Sequence, residues 1–154
     1  VEELIGQLPP YAKYVVLTFI PWIELRGAVP WAVQQGDQVY LPIIAITNCV
    51  IFFPTYFILE WVYEHIPEGS WIHRKLESIR TKAHPKVERF GLLGLALFVA
   101  IPLPGTGAYS GSVAAWLLDF EWKRGFLGVV IGVLVAFGIV WALAEGVAAG
   151  FRLM

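Results

Sequence analysis

Glu24 and Arg26 are the residues of this 154-residue chain best placed to do chemistry. They stand two apart inside an apolar stretch, Tyr11 to Gln35, that Pro21, Gly27 and Pro30 interrupt. An ionised side chain deep in lipid costs about 3 kcal/mol on insertion scales, so such groups persist where they are paired or face a polar path. A carboxylate held beside a guanidinium can exchange a proton in a coupled step. The guanidinium is a planar fork that matches phosphate or carboxylate. The plainer alternative is a pair that only holds an elbow shut. The functional reading is preferred because apolar packing would staple an elbow more simply than two charges.

A second interrupted stretch reads Pro102-Leu-Pro-Gly-Thr-Gly-Ala-Tyr-Ser-Gly111. No helix runs cleanly through two prolines and this many glycines. Pro102 and Pro104 set the turn, Gly105, Gly107 and Gly111 free the backbone, and Thr106, Tyr109, Ser110 and Ser112 supply hydroxyls. A helix starting here would aim amides and a positive dipole inward, which makes an anion seat. Alternatively the prolines and glycines only shape a hairpin and the hydroxyls cap it. No Lys follows the glycines, so this is not a nucleotide phosphate loop. Asn48, in the middle of an apolar run, could line the same cavity, although an interhelical hydrogen bond is the favoured reading. Gly128 and Gly132 form a small-xxx-small pair that suits close packing against a hairpin or a second subunit, so a homodimer is an open expectation.

The elements that must hold these residues follow from charge distribution. The chain is 58% hydrophobic and only 15% charged, with mean hydropathy +0.67. Soluble domains carry about 25% charged residues, and a chain this short cannot bury so much apolar surface in its own core. Lipid is the expected solvent. With 11 Lys and Arg against 12 Asp and Glu, no basic field exists to hold nucleic acid. Cys49 reads as core packing. His65, His73 and His84 lack metal-ligand spacing, no nucleophile or paired-carboxylate set is present, and neither an enzyme nor a cofactor is expected.

Uncharged runs cover 39–59, 90–118 and 125–144. A span needs about 20 apolar residues. Gly125–Ala148 and Val39–Trp61 each suffice as one helix, the latter despite Pro42 and Pro54. The two interrupted stretches instead predict pairs of short arms of about 12 residues, roughly 18 Å each and too short to cross a core of about 30 Å. The order arm, elbow, arm, turn, long helix occurs twice, and a shift of 80 residues places Gly27-Ala28 on Gly107-Ala108. The expected fold is an all-α integral membrane protein of two inverted-topology repeats. Each is a re-entrant broken-helix hairpin plus a transmembrane helix, the plan of many transporters. Residues 1–154 form one membrane domain, with a first repeat at 11–61, an amphipathic connector at 62–89 and an inverted second repeat at 90–148.

In the connector, Ile72, Leu76, Ile79, Ala83, Val87 and Phe90 recur at steps of three and four while Arg and Lys fill the rest. That predicts an interfacial helix on anionic headgroups, bent at Pro85, or equally a basic solvated connector. Counting Lys and Arg gives eight against two in favour of a cytoplasmic connector, whether the elbows are re-entrant or spanning, in the cell membrane. The first residues, Val-Glu-Glu, lack the basic stretch of a cleavable signal peptide.

Glu24-Leu-Arg-Gly-Ala-Val-Pro30, followed by Ile101-Pro-Leu-Pro-Gly-Thr-Gly-Ala-Tyr-Ser-Gly111, resembles the two signature elbows of the small multidrug export protein family. That family is similar to the DedA/VTT membrane protein superfamily. The resemblance covers nearly the whole chain. It implies opposed re-entrant hairpins and translocation of lipid, either polyprenyl phosphate carriers or phospholipids, linked to protons. Glu24 and Arg26 would fill the roles of the essential hairpin charges. The second elbow here carries hydroxyls and glycines where DedA proteins carry further charges. The expected function is movement of an amphiphilic anion between leaflets, with membrane lipids and protons as partners. The rivals are efflux of cationic drugs through Glu24, and a non-transporting scaffold.

Overall fold

A computed structural model describes residues 7–103 and 106–152, except the side chains of 83–90 and 152. The described residues form seven α-helices: α1 (Pro10–Phe19), α2 (Glu24–Gln35), α3 (Leu41–Val50), α4 (Phe52–Glu64), α5 (Trp71–Ala100), α6 (Ala108–Leu117) and α7 (Trp122–Arg152). A 3-10 turn, Gln38–Tyr40, leads into α3. Gln38–Glu64 and Trp122–Phe151 are long and apolar enough to cross a membrane.

Each boundary has a local cause. Pro9 and Pro10 open α1, where a missing N–H costs nothing. Pro21 follows its last residues and cannot continue it. Gly36, at φ 77°, closes α2 in the left-handed region that glycine tolerates. The Ser70 hydroxyl accepts from the His73 amide and starts α5. Near Ile51, three residues before Pro54, the long apolar helix is interrupted between α3 and α4, so the expected single helix over 39–61 is two nearly continuous pieces.

Helix α5 departs further from expectation. It runs unbroken through Pro85 and past Arg89 to Ala100, so connector and first arm of the second hairpin share one 30-residue helix. Its polar half is also not wholly a headgroup-facing surface. Arg80 lies between the rings of Tyr63 and Trp116, 4.6 Å from each centroid, and pairs with Asp119 (3.3 Å) and Glu60 (3.5 Å). The Trp116 indole donates to the same Glu60 carboxylate at 2.7 Å. This clamp joins α4, α5 and the end of α6.

The two halves exchange partners. Helix α2 packs on α7, and α6 packs on α4, so the second arm of each hairpin lies against the long helix of the other half. Gly111 meets Val99 of α5, while Gly128 and Gly132 of α7 meet Leu95, Ala96 and Val99. The small-residue pair of α7 is therefore used inside the chain, against the first arm of the second hairpin. Tyr14, Leu25, Val29, Ile44, Phe52, Val129 and Val133 form the buried core between these contacts. The base of the first hairpin is closed by the Tyr14 hydroxyl, which donates to Asp37 at 2.7 Å.

Candidate functional site

The two elbows meet. Phe19 at the end of α1 accepts a 2.7 Å hydrogen bond from the Tyr109 hydroxyl of α6. Arg26, in the first turn of α2, reaches the opposite elbow. Its Nη2 donates to the Ile101 carbonyl (3.1 Å) and the Thr106 hydroxyl (3.0 Å), while Nη1 contacts Glu24 Oε2 at 3.1 Å. Both arms of the guanidinium fork are thus engaged, Nη1 by Glu24 two residues away and Nη2 by groups 75 and 80 residues along the chain.

Glu24 is only 4% exposed. Its second oxygen accepts from the Tyr109 amide at 3.3 Å, in the first turn of α6. The N-terminus of α6 thus faces the carboxyl group of Glu24. Glu24 reaches it from a backbone at φ 43°, a left-handed conformation that costs a non-glycine residue about 1–3 kcal/mol.

Thr106 organises its elbow from within. Its hydroxyl lies 2.5 Å from the Ile101 carbonyl and 2.9 Å from that of Leu103, and accepts from the Leu103 amide at 3.2 Å. Ser110 caps α6 by accepting from the Gly107 amide at 2.7 Å. Gly107 is required by space. A Cβ there would fall on the carboxylate of Glu24 and on Arg26 Nη1.

Glu24, Arg26, Thr106, Gly107, Tyr109 and Ser110, with Pro21 and Trp22, line one polar cavity of about 190 Å³. Trp22 stands 94% exposed at its rim. Arg26 also lines a neighbouring apolar groove of about 350 Å³, together with Pro30, Gln34, Pro102, Leu143 and Phe151. Its Nε is buried with no hydrogen-bond partner among the described residues. Gly27 and Pro30, expected in the elbow, lie inside α2 instead. A proline there deprives the carbonyl four residues back, that of Arg26, of its helical partner. Pro104 and Gly105 lie outside the described residues.

Asn48 lies in α3. It is fully buried, its Oδ1 and Nδ2 have no partner among the described residues, and it lines none of the cavities above. Sequence reasoning also missed the Arg80 clamp. Its members come from positions 60, 63, 80, 116 and 119, and no local spacing announces that they meet.

Two apolar helices of membrane-crossing length, in a chain whose described residues are helical and without strands, are compatible with a membrane protein. The particular family is given by comparison: residues 24–139 match the family model described as "Putative small multi-drug export protein", and the chain belongs to that family. No curated protein and no solved structure matches the chain.

Proposed function

We propose that this protein moves an amphiphilic anion, a lipid-linked phosphate or phospholipid headgroup with its tail, from one leaflet to the other. The observation that carries the reading is the environment of Glu24. A guanidinium and a helix N-terminal amide hold its carboxylate, and this donor set would serve a phosphate equally well. Glu24 occupies the seat at rest. Protonation weakens its hold on Arg26 and frees both donors, so a phosphate enters as a proton arrives. Arg26 then grips the headgroup at the mouth of an apolar groove that accepts the tail.

The sidedness belongs to the same proposal. Arms of 10 and 12 residues reach only about 15–18 Å, half of a core of about 30 Å. Hairpins entering from opposite faces bring their elbows together at mid-depth, with the basic connector on the cytoplasmic side. Asp37 and Asp119 are engaged by Tyr14 and Arg80, so their neighbours make better probes. Cysteines at Val39→Cys and Glu121→Cys, in a Cys49→Ser background, are expected to label from opposite sides of intact cells, Glu121→Cys from the cytoplasm. Elbows that span would bring Glu121→Cys to the outside.

The transport test uses purified protein in liposomes holding a fluorescent polyprenyl phosphate, with quencher access followed at two pH values. Wild type is expected to flip the probe faster than empty liposomes and with pH dependence; Glu24→Gln is expected to flatten that dependence. Flipping no faster than in empty liposomes, with folded protein, would sink the reading.

The family description points to a second one, export of small drugs. Its local support is the polar cavity, where a carboxylate lies beside Trp22 and Tyr109, a combination that suits a lipophilic cation. Arg26 in the same cavity opposes it by repelling such a cargo. Ethidium transport lost in Glu24→Gln, without lipid flipping, would favour that reading. Neither activity would leave the scaffold.

A further inference from the structure

A second apolar groove lies on the far side of the elbow junction. It measures about 400 Å³ and is lined by Phe19, Thr55, Ile58, Leu59, Tyr109 and Val113, between α4 and α6. The first groove lies between α2 and α7. These are the two places where the second arm of one hairpin packs on the long helix of the other half. The grooves are therefore counterparts under the relation between the halves, and their volumes are close.

They also open at opposite ends of the molecule. The first runs past Leu143 to Phe151, the C-terminal end of α7. The second runs beside Thr55 to Leu59, and the neighbouring Phe53 and Phe57 pack on Trp122 at the N-terminal end of α7, with ring centroids 6.5 and 6.2 Å apart. Each groove shares one lining residue with the polar cavity. Arg26 lines that cavity and the first groove; Tyr109 lines that cavity and the second.

We infer that the second groove is the tail seat for the opposite leaflet, and that Tyr109 is its gate. The inference rests on the transport reading above. An alkyl or prenyl tail lies in one groove while its phosphate is held at Arg26. The headgroup crosses the polar cavity, and the tail swings to the other groove without leaving lipid. Away from Arg26 both grooves are lined mostly by apolar side chains, which disfavour a charged headgroup, so the charge passes by way of the polar cavity. In this structure the Tyr109 hydroxyl donates to the Phe19 carbonyl, both residues lining the second groove, and that bond is the latch. Breaking that one bond opens the second groove to the cavity.

The experiment uses the whole protein in phosphatidylcholine vesicles with a polyprenyl phosphate carrying a photoreactive diazirine along its tail. The same tail ending in a neutral alcohol serves as control, and adducts are mapped by mass spectrometry. Phosphate-dependent labelling, at least fivefold above the alcohol, is expected on peptides of both α7 around Leu143–Phe151 and α4 or α6 around Thr55–Leu59 and Val113. Val113→Trp, on a side chain 39% exposed, fills the second groove. It is expected to abolish the α4 and α6 adducts, slow flipping at least tenfold and leave the α7 adducts. Ile58→Trp should do the same from the facing helix. Leu127→Trp, exposed on α7 outside both grooves, should flip normally. Phosphate-dependent adducts on α7 alone would overturn the second seat and leave the transport reading standing. No phosphate-dependent labelling at either groove would overturn both.

Discussion

Arg26→Ala is expected to lower the unfolding free energy in mixed micelles by about 3–5 kcal/mol, the range seen when one partner of a buried ion pair is removed, and to abolish flipping. The loss is large because of what stays behind. Glu24, 4% exposed beside Arg26, is left with backbone amides at the start of α6. The Ile101 carbonyl and Thr106 hydroxyl lose the donor that joins the two elbows. Removing both charges should be gentler than removing one. Glu24→Gln/Arg26→Ala is expected to be more stable than Arg26→Ala alone, giving a coupling energy well above the few tenths found for independent sites. Arg26→Lys tests the fork. One ammonium cannot face Glu24 and the second elbow as two Nη groups do, so it should recover less than half of the loss and little of the flipping. A denaturant titration of wild type, Glu24→Gln and these three variants measures this. An Arg26→Ala protein as stable as wild type would mean that the pair does not join the elbows.

The elbow chemistry was legible in the sequence because lipid makes charges conspicuous. Glu24 and Arg26 stand out against uncharged runs, and the arms betray themselves by length and by Pro21 and Pro102. The sequence raised an anion seat at the second elbow as an expectation, yet it could not say that Glu24 lies against that helix end, since the contact joins positions 24 and 109. The boundaries of α5 were hidden for a different reason. A change from amphipathic to uniformly apolar pattern at residue 90 suggests two elements, but one helix can leave a polar surface and enter lipid without breaking, and Pro85 does not end it. By spacing alone Arg80 is one of the basic residues on the polar face of the connector. Tyr63, Trp116, Glu60 and Asp119 give it a sandwiched, doubly paired place that only tertiary packing creates. Gly27 and Pro30 were assigned to the elbow because both disfavour helices in water. In α2 the surrounding helices override that preference.

Gly107 makes the sharpest steric prediction. Its backbone is extended, at φ −176°, a conformation open to any residue, so conformational freedom does not explain the glycine. The space does: a Cβ would coincide with the Glu24 carboxylate and press on Arg26 Nη1. Gly107→Ala must therefore displace the ion pair or the start of α6. Overpacking of this kind costs about 1–3 kcal/mol, and flipping is expected to fall more than tenfold because the displaced groups are those that hold the headgroup. Gly138→Ala is the matched control, since a Cβ there meets nothing within 4 Å; helix propensity alone should make it neutral or stabilising by up to about 1 kcal/mol. Glu24→Asp, shorter by one methylene, withdraws the carboxylate from the new Cβ. If the overlap is the cause, the Gly107→Ala/Glu24→Asp protein should be more stable than the sum of the single losses predicts. Strict additivity, or a Gly107→Ala protein as stable and active as Gly138→Ala, would show that the two elbows do not close on Gly107.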